Sequence, residues 1–154
     1  MILITTHINA DFDGLAAMVA AAKLYPGATL AFPASQERNV RAFIQEHLQH
    51  KYTFLKMKEV DTSAVTTLVL VDTRSPQRIG RFASCLDNPG IQVHLYDHHP
   101  AAGDEIKGDI EKIEQFGATT TLLVQLLRQK RIAISQAEAT LFALGIYEDT
   151  GSLS

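Results

Sequence analysis

The acidic and histidine side chains of this sequence fall into short groups rather than being scattered. His7, Asp11 and Asp13 follow an apolar opening stretch; Asp72 directly follows Thr67–Val71 (TLVLV); Asp97, His98 and His99 directly follow Ile91–Tyr96 (IQVHLY); Asp149 lies near the end. Asp11, Asp13, Asp72, Asp97 and Asp149 in one crevice would repel one another and raise several carboxyl pKa values unless cations compensated them. Arg74 is the one basic residue on these loops, so divalent cations are the natural compensation. Carboxylates and imidazoles without thiolate suit Mn²⁺ or Mg²⁺, with Fe²⁺, Co²⁺ or Zn²⁺ also accommodated. The candidate ligands are too many for one ion and right for two.

Taken singly, each group has a plainer reading. His-x3-Asp-x-Asp-Gly can be a turn, and Asp72 ahead of Ser75-Pro76 can cap a helix. Asp149 alone is unremarkable, whereas three consecutive polar groups at 97–99 seldom serve packing. The metal reading rests on their coincidence at strand ends.

The elements that would position them alternate along the chain. Strands are expected at Ile2–Thr6, Ala28–Phe32, Tyr52–Leu55, Thr67–Val71 and Ile91–Tyr96. Thr67–Val71, a continuous β-branched and Leu run, fits a parallel strand covered on both faces. Helices are expected from Gly14 to Tyr25, from Glu37 to His50, from Pro76 to about Leu86, from Thr119 to Lys130, and from Gln136 to about Tyr147. Ser135 and Glu138 form a capping box for the last, and residues 103–110 have no clear pattern. This order predicts an α/β fold, a mostly parallel sheet with helices on both faces in three α/β/α layers. In such a sheet the loops at the carboxyl ends of the strands converge on one crevice, so three strands would deliver the acidic and histidine groups to one edge.

Composition narrows the class. The 154 residues carry 14 Lys+Arg against 17 Asp+Glu, a net charge of −3, which excludes binding nucleic acid by bulk charge alone. The single cysteine, Cys85, excludes an intrachain disulfide and a CxxC zinc site and reads as a small core residue. No signal-peptide pattern and no apolar run of membrane-spanning length is present, so no membrane partner is expected and the location is expected to be cytoplasmic. His94, inside a strand, reads as packed or hydrogen-bonded, and His47 and His50 as solvated. Arg38, Asn39 and Arg41, after the second strand, are candidates to line the crevice or to cover a solvated helix face. Gly117-Ala118-Thr119-Thr120 opens a helix and reads as ordinary capping, with phosphate binding as the alternative.

Four stretches in order, His7-Ile8-Asn9-Ala10-Asp11-Phe12-Asp13-Gly14, Val71-Asp72-Thr73-Arg74, Asp97-His98-His99 and Gly145-Ile146-Tyr147-Glu148-Asp149-Thr150-Gly151, resemble the motifs of the DHH phosphoesterase superfamily. Its members include RecJ-type exonucleases, oligoribonucleases, cyclic-dinucleotide phosphodiesterases and family II pyrophosphatases. The segments 9–16 and 145–153 look most like the branch in which a DHH domain leads a bacterial protein that continues into CBS domains and a tRNA nucleotidyltransferase/poly(A) polymerase module. Ala10 departs from the proline common in relatives. The second lobe that relatives carry after the fourth motif, often called DHHA1, is missing, and the chain is therefore expected to be one domain, residues 1–154, of a longer protein.

The resemblance implies two Mn²⁺ ions, with Mg²⁺ or Co²⁺ as substitutes. His7, Asp11 and Asp72 would hold one, and Asp13, Asp72, His98 and Asp149 the other, with Asp72 bridging. It implies that Asp97 orients the histidines and that His99 contacts the substrate phosphate. Arg74 could reach a phosphate or lie solvated at a helix start. The implied activity is hydrolysis of phosphodiesters in RNA, an oligonucleotide or a nucleotide phosphate. Pyrophosphate or polyphosphate hydrolysis is the second reading, and a catalytically weak metal- or nucleotide-binding regulatory module is the third.

Overall fold

The computed structural model describes residues 1–151; Ser152 and Leu153, the end of the 145–153 segment that resembles one branch, and Ser154 lie outside the described residues. Six strands form one sheet in the order β3-β2-β1-β4-β5-β6, with every neighbouring pair parallel. They are β1 (Ile2–Thr5), β2 (Thr29–Phe32), β3 (Phe54–Lys56), β4 (Thr67–Val71), β5 (Gln92–Asp97) and β6 (Ile110–Ile113). The α-helices are α1 (Phe12–Leu24), α2 (Arg38–Phe43), α3 (Thr119–Gln129) and α4 (Gln136–Asp149).

Alternation along the strands divides the core in two. Ile4, Val69, Val71, Leu30 and Phe32 face a layer built by α1 to α4, whereas Leu3, Leu68, Leu70, Val93 and Leu95 face Ile79, Phe82 and Cys85. The three expected layers are present, but the second outer layer is not α-helical. Pro76–Asp87, expected as one helix, is a run of 3₁₀ turns broken at Gly80, whose φ of 57° and ψ of −139° no helix accommodates. The helix expected at 37–50 is α2 continued by a π-helical turn, Ile44–Leu48. β6, which begins at the end of the 103–110 stretch, was not expected, because its residues are mostly exposed on a sheet edge and carry no alternation of apolar and polar side chains.

α1 is central and almost wholly buried from Asp13 to Ala21. Its alanines let neighbouring helices come close, and Gly145 of α4 shows how close: a Cβ there would meet Ala16 Cβ at 2.9 Å and the Phe12 carbonyl at 3.1 Å. That approach seats α4 against α1, one turn before Asp149. Asp149 is the last residue of α4 rather than a loop residue after it.

Candidate metal centre

The carboxyl ends of β1, β4 and β5 sit side by side because these strands are adjacent in the sheet. His7 and Asp11 lie in the loop after β1, with Asp13 in the first turn of α1; Asp72 follows β4, and His98 and His99 follow β5. Asp11 is also the N-cap of α1, its Oδ1 accepting from the Gly14 amide at 2.9 Å. Asn9 and Asp72 both adopt left-handed backbone, φ 53° and 63°. Such conformations cost about 1–3 kcal/mol for residues other than glycine and cluster at functional sites.

Two overlapping groups of ligand-type atoms result, His7–Asp11–Asp72 and Asp13–Asp72–His98–Asp149, with the atoms of each within 4.8 Å of one another; Asp72, His98 and His99 make a third such set. Asp72 joins the first two through different oxygens. Its Oδ2 lies 3.2 Å from His7 Nε2, and its Oδ1 lies 3.3 Å from His98 Nε2. His98 Nε2 also stands 2.9 Å from Asp149 Oδ2 and 3.6 Å from Asp13 Oδ2, and His7 Nε2 stands 3.6 Å from Asp11 Oδ1.

Both imidazoles are oriented from behind. His7 Nδ1 meets the Ile8 carbonyl at 2.8 Å, and His98 Nδ1 meets the Phe116 carbonyl at 3.0 Å. An Nδ1–H donated to a carbonyl fixes the tautomer that offers Nε2 to a cation. His98 Nε2 is buried and, despite its three carboxylate neighbours, makes no well-formed hydrogen bond. A buried ring nitrogen among carboxylates with no hydrogen bond of its own is placed as a cation ligand would be. The donor set of carboxylate oxygens and imidazole nitrogens, without sulfur, fits a hard-to-borderline divalent cation.

With protein groups alone, protons carry the compensation. Burial opposes protonation of His7, but the carboxylates of Asp11 and Asp72 beside it outweigh burial and push its pKa up to about 10. Burial likewise opposes His98, and Asp149 and Asp72 push it up to about 11. Against its own burial, Asp72 is held below the usual carboxylate range by these two histidines. Burial and the Asp72 charge raise Asp13 well above that range.

The N-terminus of α3 also enters the centre. Its N-cap, Ala118, has no side-chain acceptor, and Asp13 supplies the missing one. Asp13 accepts from the Thr119 amide at 3.0 Å, the Thr120 amide at 2.9 Å and the Thr120 hydroxyl at 2.6 Å. The Thr119 hydroxyl donates to Asp72 Oδ1 at 2.9 Å. Sequence reasoning placed a helix start at Gly117–Thr120 but missed that its donors serve two acidic side chains. The one available signal was a Thr-Thr pair opening a helix that lacks a capping residue of its own.

Asp97 turns to the other side of the strand end. It receives Arg74 Nε at 2.9 Å and the His98 amide at 2.9 Å, and faces His99 Nδ1 at 2.7 Å. Arg74 also donates through Nη2 to the His99 carbonyl at 2.6 Å, so its guanidinium braces the 97–99 segment instead of lying solvated. Thr73, Arg74, Arg78, Asp97 and His99 line a cavity of about 340 Å³ beside the centre.

A parallel sheet whose strand ends gather carboxylates and imidazoles into two groups sharing one aspartate is a frame for a metal-dependent hydrolase, and similarity to known proteins makes its class a phosphoesterase-type hydrolase domain. The model of the DHH family, N-terminal domain, matches residues 1–146, and the chain belongs to that family. It is 47% identical over 154 residues to an A-adding tRNA nucleotidyltransferase of Geobacter sulfurreducens, covering 100% of this chain and 18% of that protein. It is 27% identical over 152 residues to a probable manganese-dependent inorganic pyrophosphatase of Listeria innocua, covering 96% of this chain and 47% of that one. Among solved structures, an exopolyphosphatase-related protein from Bacteroides fragilis superposes with a TM-score of 0.77 at 17% identity, over 99% of this chain and 47% of that chain, which shows the shared fold. The chain therefore spans under a fifth of the first of these proteins and about half of the other two. No helix among the described residues is long and apolar enough to cross a membrane.

Proposed function

We propose that this domain is a Mn²⁺-dependent, two-cation phosphoesterase that hydrolyses phosphodiester bonds of RNA or short oligonucleotides, within a longer protein of the tRNA nucleotidyltransferase/poly(A) polymerase type. The observation that carries the reading is the division of Asp72, with one oxygen toward His7 and the other toward His98. A carboxylate so placed suits a bridge between two cations. His7, Asp11 and Asp72 would hold one, and Asp13, Asp72, His98 and Asp149 the other. Such cations, when bound, activate water, polarise phosphoryl oxygens and stabilise the leaving oxygen of an in-line displacement.

The chain's own residues supply position. Arg74 fixes Asp97, and Asp97 engages His99 Nδ1, which leaves Nε2 of a 43% exposed imidazole for a phosphoryl oxygen. Thr119 and Thr120 hold Asp72 and Asp13 in place by hydrogen bonds. Mn²⁺ is supported by the oxygen–nitrogen donor set and by the name of the Listeria relative, and RNA by the name of the Geobacter relative. The Listeria relative also favours a second reading, hydrolysis of pyrophosphate or polyphosphate.

The test is turnover of bis-p-nitrophenyl phosphate, a short RNA and pyrophosphate under Mn²⁺. The expected result is Mn²⁺-dependent cleavage of the diesters. Cleavage of pyrophosphate alone would replace the first reading with the second. No turnover of any of them by a chain loaded with Mn²⁺ would overturn both and leave a regulatory module.

A further inference from the structure

We propose that a cavity over the carboxyl ends of β2 and β3, beside the metal centre, is a nucleobase subsite; this rests on the phosphoesterase reading and narrows its substrate to a nucleotide-bearing phosphodiester rather than inorganic pyrophosphate. The cavity has a volume of about 550 Å³. Phe54, half-buried and stacked on the buried Phe32 ring with centroids 5.3 Å apart and planes inclined by 26°, contributes its aromatic surface. Ile44, Leu55 and Met57 add apolar walls, and Gln36 and Gln45 add amides. Arg41 and Lys56 stand exposed on its lining.

Position ties the cavity to the centre. All six strands are parallel, so the ends of β2 and β3 open on the same edge as those of β1 and β4. β2 is next to β1, and β3 is one strand further, which at normal strand spacing places them about 5 and 10 Å to the side of the strand delivering His7. A backbone bridge fixes the two sites to each other: Ala10, between His7 and Asp11, pairs with Gln36, and the Glu37 amide donates to the Ala10 carbonyl at 3.0 Å.

The lining chemistry matches a base. Every base has a π-face that stacks on aromatic rings and an edge that exchanges hydrogen bonds with amides, and cations beside it meet the backbone phosphates. Gln36 directs its Nε2 to the Ala34 carbonyl at 2.8 Å, which orients the amide at the cavity wall. The wall formed by Ile44 and Gln45 belongs to the π-helical turn, and widened turns of this kind recur at functional sites. Inorganic pyrophosphate has neither a flat apolar face nor a base edge and would leave this surface unused.

Calorimetric titration of the Mn²⁺-loaded chain with AMP and with ribose 5-phosphate separates the base from the phosphate. The proposal expects AMP to bind about tenfold tighter, the scale of one base stacked on an aromatic ring. Phe54→Ala should bring the ratio of the two affinities close to one. Ala34→Trp, at an exposed position on the lining, should do the same by filling the cavity without touching the core. Equal affinities in the unmodified chain would overturn the subsite while leaving the phosphoesterase reading intact. Binding of neither compound by a chain that has taken up Mn²⁺ would overturn both. An undiminished preference for AMP in folded Phe54→Ala and Ala34→Trp would overturn this location for the base.

Discussion

Two buried acidic groups of this protein are compensated in opposite ways. Glu138, 1% exposed, receives Lys23 Nζ at 2.9 Å, Lys51 Nζ at 3.1 Å, the Tyr52 hydroxyl and the Ser135 amide at 2.9 Å. Its charge is met by the protein's own cations, and its carboxyl pKa is held well below the usual range by those contacts despite burial. Asp13 and Asp72, at 0% and 1% exposure, have no lysine or arginine partner among the described residues. They share two histidines and the opening of α3, and Asp13 is pushed toward its protonated form. A buried charge must be paired or coordinate a metal. The first group is paired and joins α4 to α1 and to the approach of β3; the second is arranged for a cation from outside.

Removing one charge from each group should give different failures. The largest effect is expected from Asp72→Asn, which takes a ligand from both proposed cation sites. Loss of supporting partners behind metal ligands already costs roughly 10–100-fold in affinity or activity, so loss of a shared ligand should exceed that, while the chain remains folded by circular dichroism. Glu138→Gln should do the reverse. It should lower stability by about 2 kcal/mol, the scale of hydrogen bonds to a charged group, and leave the number of bound Mn²⁺ ions unchanged. Thermal denaturation and metal analysis on the same samples check both.

pH should separate the groups next. His7 and His98 have pKa values raised from 6.5 to about 10 and about 11, so in the absence of metal their contribution to stability is complete below about 6.5 and is lost as pH rises through 10 and 11. Glu138 has a lowered pKa, so its contribution is present above 4.5 and is lost as pH falls. Mn²⁺ bound as proposed would displace the protons on the two Nε2 atoms, so its affinity should rise between pH 6 and 9 with proton release on binding, measurable by titration in buffers of different ionisation enthalpy. The smallest structural effect is expected from Asp11→Asn. Asparagine caps a helix about as well as aspartate, so the melting temperature should hardly move, while affinity at the His7 site should fall.

The legible part of the molecule is the part written locally. His7, Asp11, Asp72 and the 97–99 run follow apolar stretches whose character marks them as strands, and a parallel sheet sends such residues to one edge. The Ser135–Glu138 capping box was readable from four consecutive residues and is present. His94 is hydrogen-bonded to Tyr25 at 2.6 Å, as its place inside a strand suggested. What escaped depends on partners far apart in sequence. Thr119 and Thr120 meet Asp13 across more than a hundred residues, and Lys23 meets Glu138 across 115. Glu138 looked like a cap alone because nothing near it names its lysines. The break at Gly80 escaped because a proline-initiated amphipathic stretch gives no sign of a left-handed glycine within it.

The most direct test of the central claim is the number of Mn²⁺ ions the chain holds at saturation, placed by anomalous scattering. The account predicts two, one between His7, Asp11 and Asp72 and the other among Asp13, Asp72, His98 and Asp149, with Asp72 touching both. No bound ion, or a single ion that leaves one of these groups without metal at saturating Mn²⁺, would contradict it.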